Sequence, residues 1–188
     1  TVVPRSNVNI MLCSIECNRD KPIAADTSKT GFKNDLQEWG KISDNIIVWD
    51  YVINFSNIIG PFPNFYILKP NLQLFRENNV KMIFEQGWPR PSGEFTELRC
   101  YLLSKLMWNP DLNADSLIQD FCNGFYGKGG EFIYDYIKLS SENLLRSGKN
   151  LTLYEPMSVH AQGFLSPQNL EIYFELFQRV FKANNGTE

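Results

Sequence analysis

The segment Asn45-Ile46-Ile47-Val48-Trp49, followed at once by Asp50-Tyr51, decides the fold class of this chain. Its run of β-branched and aromatic residues is typical of a buried strand. Two similar apolar runs flank it: residues 7–13, followed by the polar stretch 14–17, and residues 80–84, followed by 85–88. The spacing of about 36 residues between strand ends suits a strand, a loop and a crossover helix. The sequence therefore predicts an α/β fold with parallel strands.

Composition limits what the chain can bind. With 188 residues, 43% of them hydrophobic, the chain is long enough for one domain with its own core. A net charge of −3 gives no electrostatic reason to expect nucleic acid or an anionic membrane as a partner. No apolar run reaches the roughly 18 residues of a membrane span, and the N-terminus shows no export signal.

The residues that usually hold metals and cofactors are few. The chain has four cysteines and one histidine, and no second cysteine pair complements Cys13 and Cys17 at metal-ligand spacing. No glycine-rich dinucleotide motif, phosphate loop or nucleophile elbow is present. We expect no metal and no cofactor.

The periodicity of apolar residues changes near residue 108. Residues 1–108 show three strand–helix units, with helices expected at Phe32–Gly40, at 65–78 and around Leu98–Leu106. Residues 109–188 show helical periodicity almost throughout, and we expect this region to pack on the first. Three strands alone make a poor parallel sheet, and a complete (β/α)8 barrel needs about 250 residues. We therefore expect the C-terminal portion of a TIM-type barrel that packs against upstream segments of a longer chain.

Two carboxylates are the candidate catalytic residues. Asp50 and Glu85 follow the second and third strands, and ligands bind at this end of parallel sheets. Neighbouring strands lie about 4.8 Å apart, and glycosidic bonds are cleaved between two carboxyl groups. The structural alternative is that either acid caps a helix, holds a loop, or pairs with Arg90 or Arg99.

Four further residues are candidates for substrate binding: Tyr51, Trp49, Trp88 and Glu16. The aromatic rings at strand ends can stack on a ligand or pack in the core, and the sequence leaves both open. Elsewhere, Glu94 and Glu97 lie at a helix start, where a structural role is expected.

Several motifs together resemble the DUF4838 family of large bacterial proteins, common in Bacteroidetes and related to sugar-cleaving barrels. The resemblance covers about residues 7 to 140. It rests on stretches 47–51 (IVWDY), 61–63 (PFP), 84–87 (FEQG), 93–99 (GEFTELR), 103–110 (LSKLMWNP) and 120–127 (DFCNGFYG).

The resemblance implies the C-terminal part of a (β/α)8 barrel, similar to hexosaminidase and α-glucuronidase barrels, followed by helices. It also implies Glu85, Asp50 and Tyr51 as active-site residues and a periplasmic, cell-surface or secreted location. The leading hypothesis is a fragment of a glycoside hydrolase-like protein that acts on a complex glycan. The alternatives are a non-catalytic glycan-binding or scaffold module and an interaction domain.

Overall fold

The computed structural model describes residues 3–26, 31–88, 90 and 92–186. The residues at the outer ends of the two expected regions, 1–2 and 187–188, lie outside it. Three strands and six α-helices alternate and then give way to helices alone: β1 Ile10–Cys13, α1 Phe32–Gly40, β2 Ile46–Tyr51, α2 Phe65–Glu77, β3 Val80–Gln86, α3 Thr96–Trp108, α4 Ala114–Tyr126, α5 Gly130–Ser147 and α6 Pro167–Asn185. Short 3-10 turns at Ile23–Ala25, Gly127–Gly129 and Met157–His160 complete the chain.

The strands form one parallel sheet in the order β1-β2-β3. This confirms an α/β fold with a parallel sheet. Two of the strands end later than the sequence predicts. β2 runs to Tyr51 and β3 to Gln86, so Asp50 and Glu85 lie within the hydrogen-bonded ladder and do not follow it.

One face of the sheet carries the core. Ile46 and Val48 are fully buried and pack with Leu36 of α1 and Phe75 of α2. The residues opposite Val48 in the ladder, Leu12 and Ile83, border the same cluster. The crossover helices α1 and α2 therefore cover this face. Because side chains alternate along a strand, every second residue of each strand points toward these helices.

The other face is largely uncovered. Met11, Met82 and Phe84 expose 53%, 61% and 52% of their surface. Within the described ranges, the outer edges of β1 and β3 pair with no further strand. Parallel sheets are normally buried on both faces, whereas this sheet is covered on only one of its two faces.

The helical region continues the main core. Leu102 and Leu106 of α3 share one buried cluster with Ile118 of α4 and Ile137 of α5, so the core passes across residue 108 without a break. The starts of α4 and α6 are capped by side chains. Asn113 caps α4 by accepting a hydrogen bond from the Ser116 amide, and Ser166 caps α6 by accepting one from the Asn169 amide; Pro167 follows as the first residue of α6.

A second cluster closes the C-terminal ends of the strands. Leu151, Leu153 and Phe164 pack with Tyr51 and Phe62. The segment is held by backbone hydrogen bonds, from the Arg19 amide to the Leu151 carbonyl and from the Phe55 amide to the Leu153 carbonyl, both 2.7 Å. The irregular segment after α5 thus lies directly over the strand ends.

A buried ion pair fixes the start of α3. Arg99 donates to Glu94 Oε2 at 2.7 Å and also to Asn64, and it lies 4.3 Å from the centre of the Phe65 ring. The ion pair gives Glu94 the structural role that is expected for it at this helix start. The pair joins α3 to the proline-rich loop before α2.

We predict that Arg99→Met destabilises the chain by about 3–5 kcal/mol, because it leaves the buried Glu94 carboxylate without its cation. Urea unfolding of the wild type and the variant measures the loss. The double variant Arg99→Met/Glu94→Gln is the matched control and should recover part of the loss. Equal stability of the single and double variants would show that the ion pair does not carry this contact.

Candidate functional site

The two candidate carboxylates are direct neighbours in the sheet. Asp50 of β2 is the register partner of Glu85 of β3. Each lies two residues after a core residue of its strand, Val48 in β2 and Ile83 in β3, and therefore on the same core-covered face, at the C-terminal end of the strands. The structure therefore brings Asp50 and Glu85 together, on the side of the sheet that the helices cover.

Asp50 is buried and engaged by three groups. Its Oδ1 accepts hydrogen bonds from the Ser14 hydroxyl and from the Tyr51 amide, the latter at 2.9 Å. The Arg19 Nη2 lies 3.2 Å from the same oxygen, and both side chains are buried. The structural alternative named Arg90 or Arg99 as the partner, and this is wrong for Asp50: its partner is Arg19.

Arg19 itself is fixed by the loop that follows β1. Its Nη2 also donates to the Ser14 carbonyl at 2.8 Å and to the Ser14 hydroxyl at 2.9 Å. The Ser14 hydroxyl in turn donates a hydrogen bond to Asp50 Oδ1. Ser14, Arg19 and Asp50 thus form one closed group that ties the β1 loop to β2.

Glu85 has no such partner. Its Oε2 is fully enclosed and makes no hydrogen bond to any described residue. Burial raises the pKa of the Glu85 carboxyl well above its ordinary value, and the negative charge of Asp50 raises it further. The positive charge of Arg19 acts in the opposite direction but does not outweigh them. Of the two acids, Glu85 is therefore the one whose protonated form its surroundings favour.

A cavity of about 570 Å³ opens beside β3 and α3. This volume is within the range of small-molecule sites. The described residues that line it combine aromatic and aliphatic side chains with a few polar groups: Trp49, Val52, Ile53, Phe84, Glu85, Gln86, Gly87, Trp88, Thr96, Arg99, Cys100 and Leu103. Glu85 is the only carboxylic acid among them.

The candidate aromatic residues divide between the cavity and the cluster above it. Trp49 lines the cavity, donates from its indole nitrogen to Gln86 Oε1 at 2.7 Å, and packs edge-on against Phe84. Tyr51 stacks on Trp49 but is buried in the second cluster. Burial, followed by the neighbouring Cys13, raises the pKa of the Tyr51 hydroxyl. Tyr51 thus packs between the second cluster and the Trp49 ring and does not line the cavity itself.

The two remaining candidates lie in different places. Trp88 is half-buried, lines the cavity and reaches Ser92 Oγ at 3.3 Å from its indole nitrogen. Glu16 lies in an exposed turn after β1 and is not among the residues that line the cavity. The site therefore unites Glu85, Trp49 and Trp88, with Asp50 behind them and Glu16 outside.

Sequence reasoning missed Ser14, Arg19 and the place of Arg99 in the cavity wall. One signal for Arg19 was available. A carboxylate on the buried face of a strand needs a cation, and Arg19 stands in the loop after the neighbouring strand end. No local pattern in the sequence points to Arg99 as a cavity residue, because its position depends on how α3 crosses the edge of β3.

The described part of the chain lacks two features, a clustered set of metal ligands and a membrane-spanning helix. It holds no group of three or more histidine, cysteine, aspartate or glutamate residues placed to bind a metal ion. None of its helices has the length and apolar character that crossing a membrane requires.

Fold and site together define an α/β protein with a small parallel sheet and carboxylic acids in register at the strand ends. The chain belongs to the DUF4838 family, described as a domain of unknown function, whose family model matches residues 1–138. This confirms the resemblance read from the motifs, while the Bacteroidetes origin stays a prediction. The comparisons with curated proteins and with solved structures find no match.

We predict that Glu85 makes stability fall as the pH rises. The folded chain keeps the Glu85 proton over a range of pH where the unfolded chain, with an ordinary glutamate pKa of about 4.3, has lost it. The folded state therefore binds more protons in that window, and stability decreases by up to about 1.4 kcal/mol per pH unit there.

Urea unfolding at several pH values between 4 and 8 measures this effect. Glu85→Gln should remove the decline and should be more stable than the wild type at neutral pH, with the difference vanishing below about pH 4. Glu77→Gln, which changes an exposed glutamate at the end of α2, should leave the pH profile unchanged. A parallel shift of the Glu85→Gln and wild-type profiles would refute the account.

Proposed function

We propose that this chain forms one wall of a carbohydrate site in a glycoside hydrolase-like protein, with Glu85 as its proton donor. One observation carries the proposal: Glu85, whose Oε2 has no hydrogen-bond partner among the described residues, lines the same cavity as Trp49, Phe84 and Trp88. A buried acid that keeps its proton near neutral pH is what a glycosidic leaving group requires. Aromatic rings supply flat apolar surface for the carbon face of a sugar ring.

The proposed chemistry is proton transfer to the glycosidic oxygen. The Glu85 O–H bond breaks as the new O–H bond forms on the leaving oxygen, and the bond from that oxygen to the anomeric carbon breaks. Water forms the new bond to the anomeric carbon and gives its proton to a second carboxylate, which the proposal places on the opposite wall of the site; Glu85 regains a proton from solvent. The negative charge of Asp50 favours retention of the Glu85 proton before the reaction. Arg19 holds Asp50 in place. Asp50 acts in this proposal as a positioning residue, since it is buried and does not line the cavity.

We also propose that the sheet is the C-terminal portion of a (β/α)8 barrel. Three parallel strands in sequential order, with α1 and α2 on one face, repeat the unit of such a barrel. The uncovered Met11, Met82 and Phe84 lie on the face that would line its interior. Upstream strands of the same polypeptide would cover them, and the family resemblance supports an exported, periplasmic or cell-surface location.

A second candidate function is glycan binding without cleavage, with the scaffold and interaction-domain hypotheses as its broader forms. The observation that favours it is the commitment of Asp50 to Ser14 and Arg19. This leaves Glu85 as the only carboxylic acid among the described cavity residues, whereas glycoside hydrolysis uses two. In this case the aromatic residues carry the affinity, and Glu85 accepts or donates a single hydrogen bond.

We predict that the natural protein containing this chain releases reducing sugar from an oligosaccharide. A panel of oligosaccharides of different sugars and linkages, assayed for reducing ends, should include at least one substrate. Glu85→Gln should lower kcat on it at least about 100-fold, because general acid catalysis contributes about that much. Glu77→Gln, which is exposed and remote from the cavity, should keep full activity.

Binding of the same panel by calorimetry separates the two functions. Affinity without turnover, with a large loss in Trp88→Ala, would favour the binding module and exclude the enzyme. Neither affinity nor turnover would exclude both and favour the interaction domain.

A further inference from the structure

Helix α6 carries a largely exposed apolar stripe with coiled-coil spacing, of which only Phe177 has a ring contact with another described element, Tyr136 of α5. Leu170, Phe174, Phe177 and Phe181 are separated by four, three and four residues. This is the spacing of the a and d positions in a heptad repeat. Phe174 and Phe181 expose 63% and 70% of their surface. The stripe lies beside the buried side of the helix, where Tyr173 and Leu176 pack on the main core.

The charges of α6 are divided between its two halves. Glu171 and Glu175 are exposed in the first half, and Arg179 and Lys182 are exposed in the second. In the described part of the chain, none of these four residues forms an ion pair. Glu171 and Glu175 also repel each other mildly, since they are four residues apart on one helix. The helix is thus acidic in its first half and basic in its second. Glu171 and Lys182 are the charges nearest the stripe, whereas Arg179 lies over the Phe132 ring of α5 at 4.1 Å.

We propose that α6 pairs with α6 of a second copy of this chain, in antiparallel orientation. Antiparallel pairing places Phe174 opposite Phe177 of the other copy and Leu170 opposite Phe181. It also brings Glu171 of one copy within about 3 Å, along the helix axis, of Lys182 of the other. The same contact occurs twice because the arrangement is two-fold symmetric. A parallel pair would place like charges together, so the charge division selects the antiparallel arrangement.

The size of the stripe sets the strength of the pairing. Each of its four side chains exposes on the order of 100 Å² of apolar surface, about half of what a large side chain can bury. Two copies would then bury roughly 800 Å² together, less than the 1,200–2,000 Å² of a stable interface. The dimer should therefore be weak and should depend on concentration.

Sedimentation equilibrium of the chain from about 10 µM to about 1 mM tests the pairing directly. The average mass should rise toward twice the monomer mass. A chain that stays monomeric at the highest concentration overturns the proposal, and would leave a different segment or a different protein as the occupant of the stripe.

Substitutions on α6 identify the surface and the orientation. Phe174→Ser should weaken dimerisation at least about tenfold, whereas Ile172→Ser, which changes an exposed residue on the opposite side of the same helix, should not. Equal effects of the two variants overturn the proposed surface. Circular dichroism should show unchanged helix content in both variants.

Charge reversal gives an independent test. Glu171→Lys and Lys182→Glu should each weaken the dimer, because each places two like-charged pairs in the interface. The double variant should restore wild-type dimerisation, since it exchanges the partners of both pairs. Failure of the double variant to recover relative to both single variants overturns the antiparallel arrangement.

Discussion

The buried ion pair between Arg19 and Asp50 is the interaction on which the strand ends depend. A charged side chain in the interior is costly unless an opposite charge and hydrogen bonds accompany it. Arg19 and Ser14 meet this need for Asp50 and, in doing so, bind the β1 loop to β2. The Arg19 backbone amide also holds the segment that covers the strand ends, through the Leu151 carbonyl. Arg19 thus holds both the C-terminal ends of the strands and the segment around Leu151 that covers them.

The same ion pair also acts on the Glu85 carboxyl, whose pKa burial raises first. Arg19 directs its Nη2 atom at Asp50 and Ser14, and its charge only partly offsets the effects of burial and of Asp50 on the Glu85 carboxyl. Two neighbouring acids therefore differ in environment: one lies in an ion pair, and the other is enclosed without a partner. A separation of this kind between two carboxyl groups is how proteins produce a proton donor at neutral pH. The proposed function follows from this difference more than from the aromatic residues around it.

Much of the fold was predictable because apolar periodicity decides it. α1 begins at Phe32, near which a helix start is predicted, and includes Gly40, which is predicted to end it; α2 ends one residue before its predicted end. β2 and β3 end two residues later than the sequence predicts, because the polar residues Asp50 and Glu85 continue the strands. A partner that compensates the burial of a polar residue lets a strand continue through it, and this explains β2 at Asp50 but not β3 at Glu85. Here Arg19 compensates Asp50 from a loop 31 residues earlier in the chain, which no local pattern reveals.

The candidate site was predictable in part for the same reason. Register in a parallel sheet places Asp50 beside Glu85, and the spacing of the strands was enough to expect this. Because side chains alternate along a strand, both acids point toward the helices and Trp49 points toward the other face. Trp49 and Asp50 are therefore on opposite faces of the sheet although they are adjacent in sequence. The cavity joins Trp49 and Glu85 again because residues of β3 and α3 line it together. The position of α3 beside β3 is a property of tertiary packing, and sequence spacing does not contain it.

The most direct test of this account is a carbon-13 NMR titration of the Glu85 side-chain carboxyl. The account predicts a pKa well above that of an ordinary glutamate, and a lower pKa in Asp50→Asn, because that change removes the neighbouring negative charge and frees Arg19 to act on Glu85. An ordinary pKa in the wild-type chain, or one that Asp50→Asn leaves unchanged, would contradict the account.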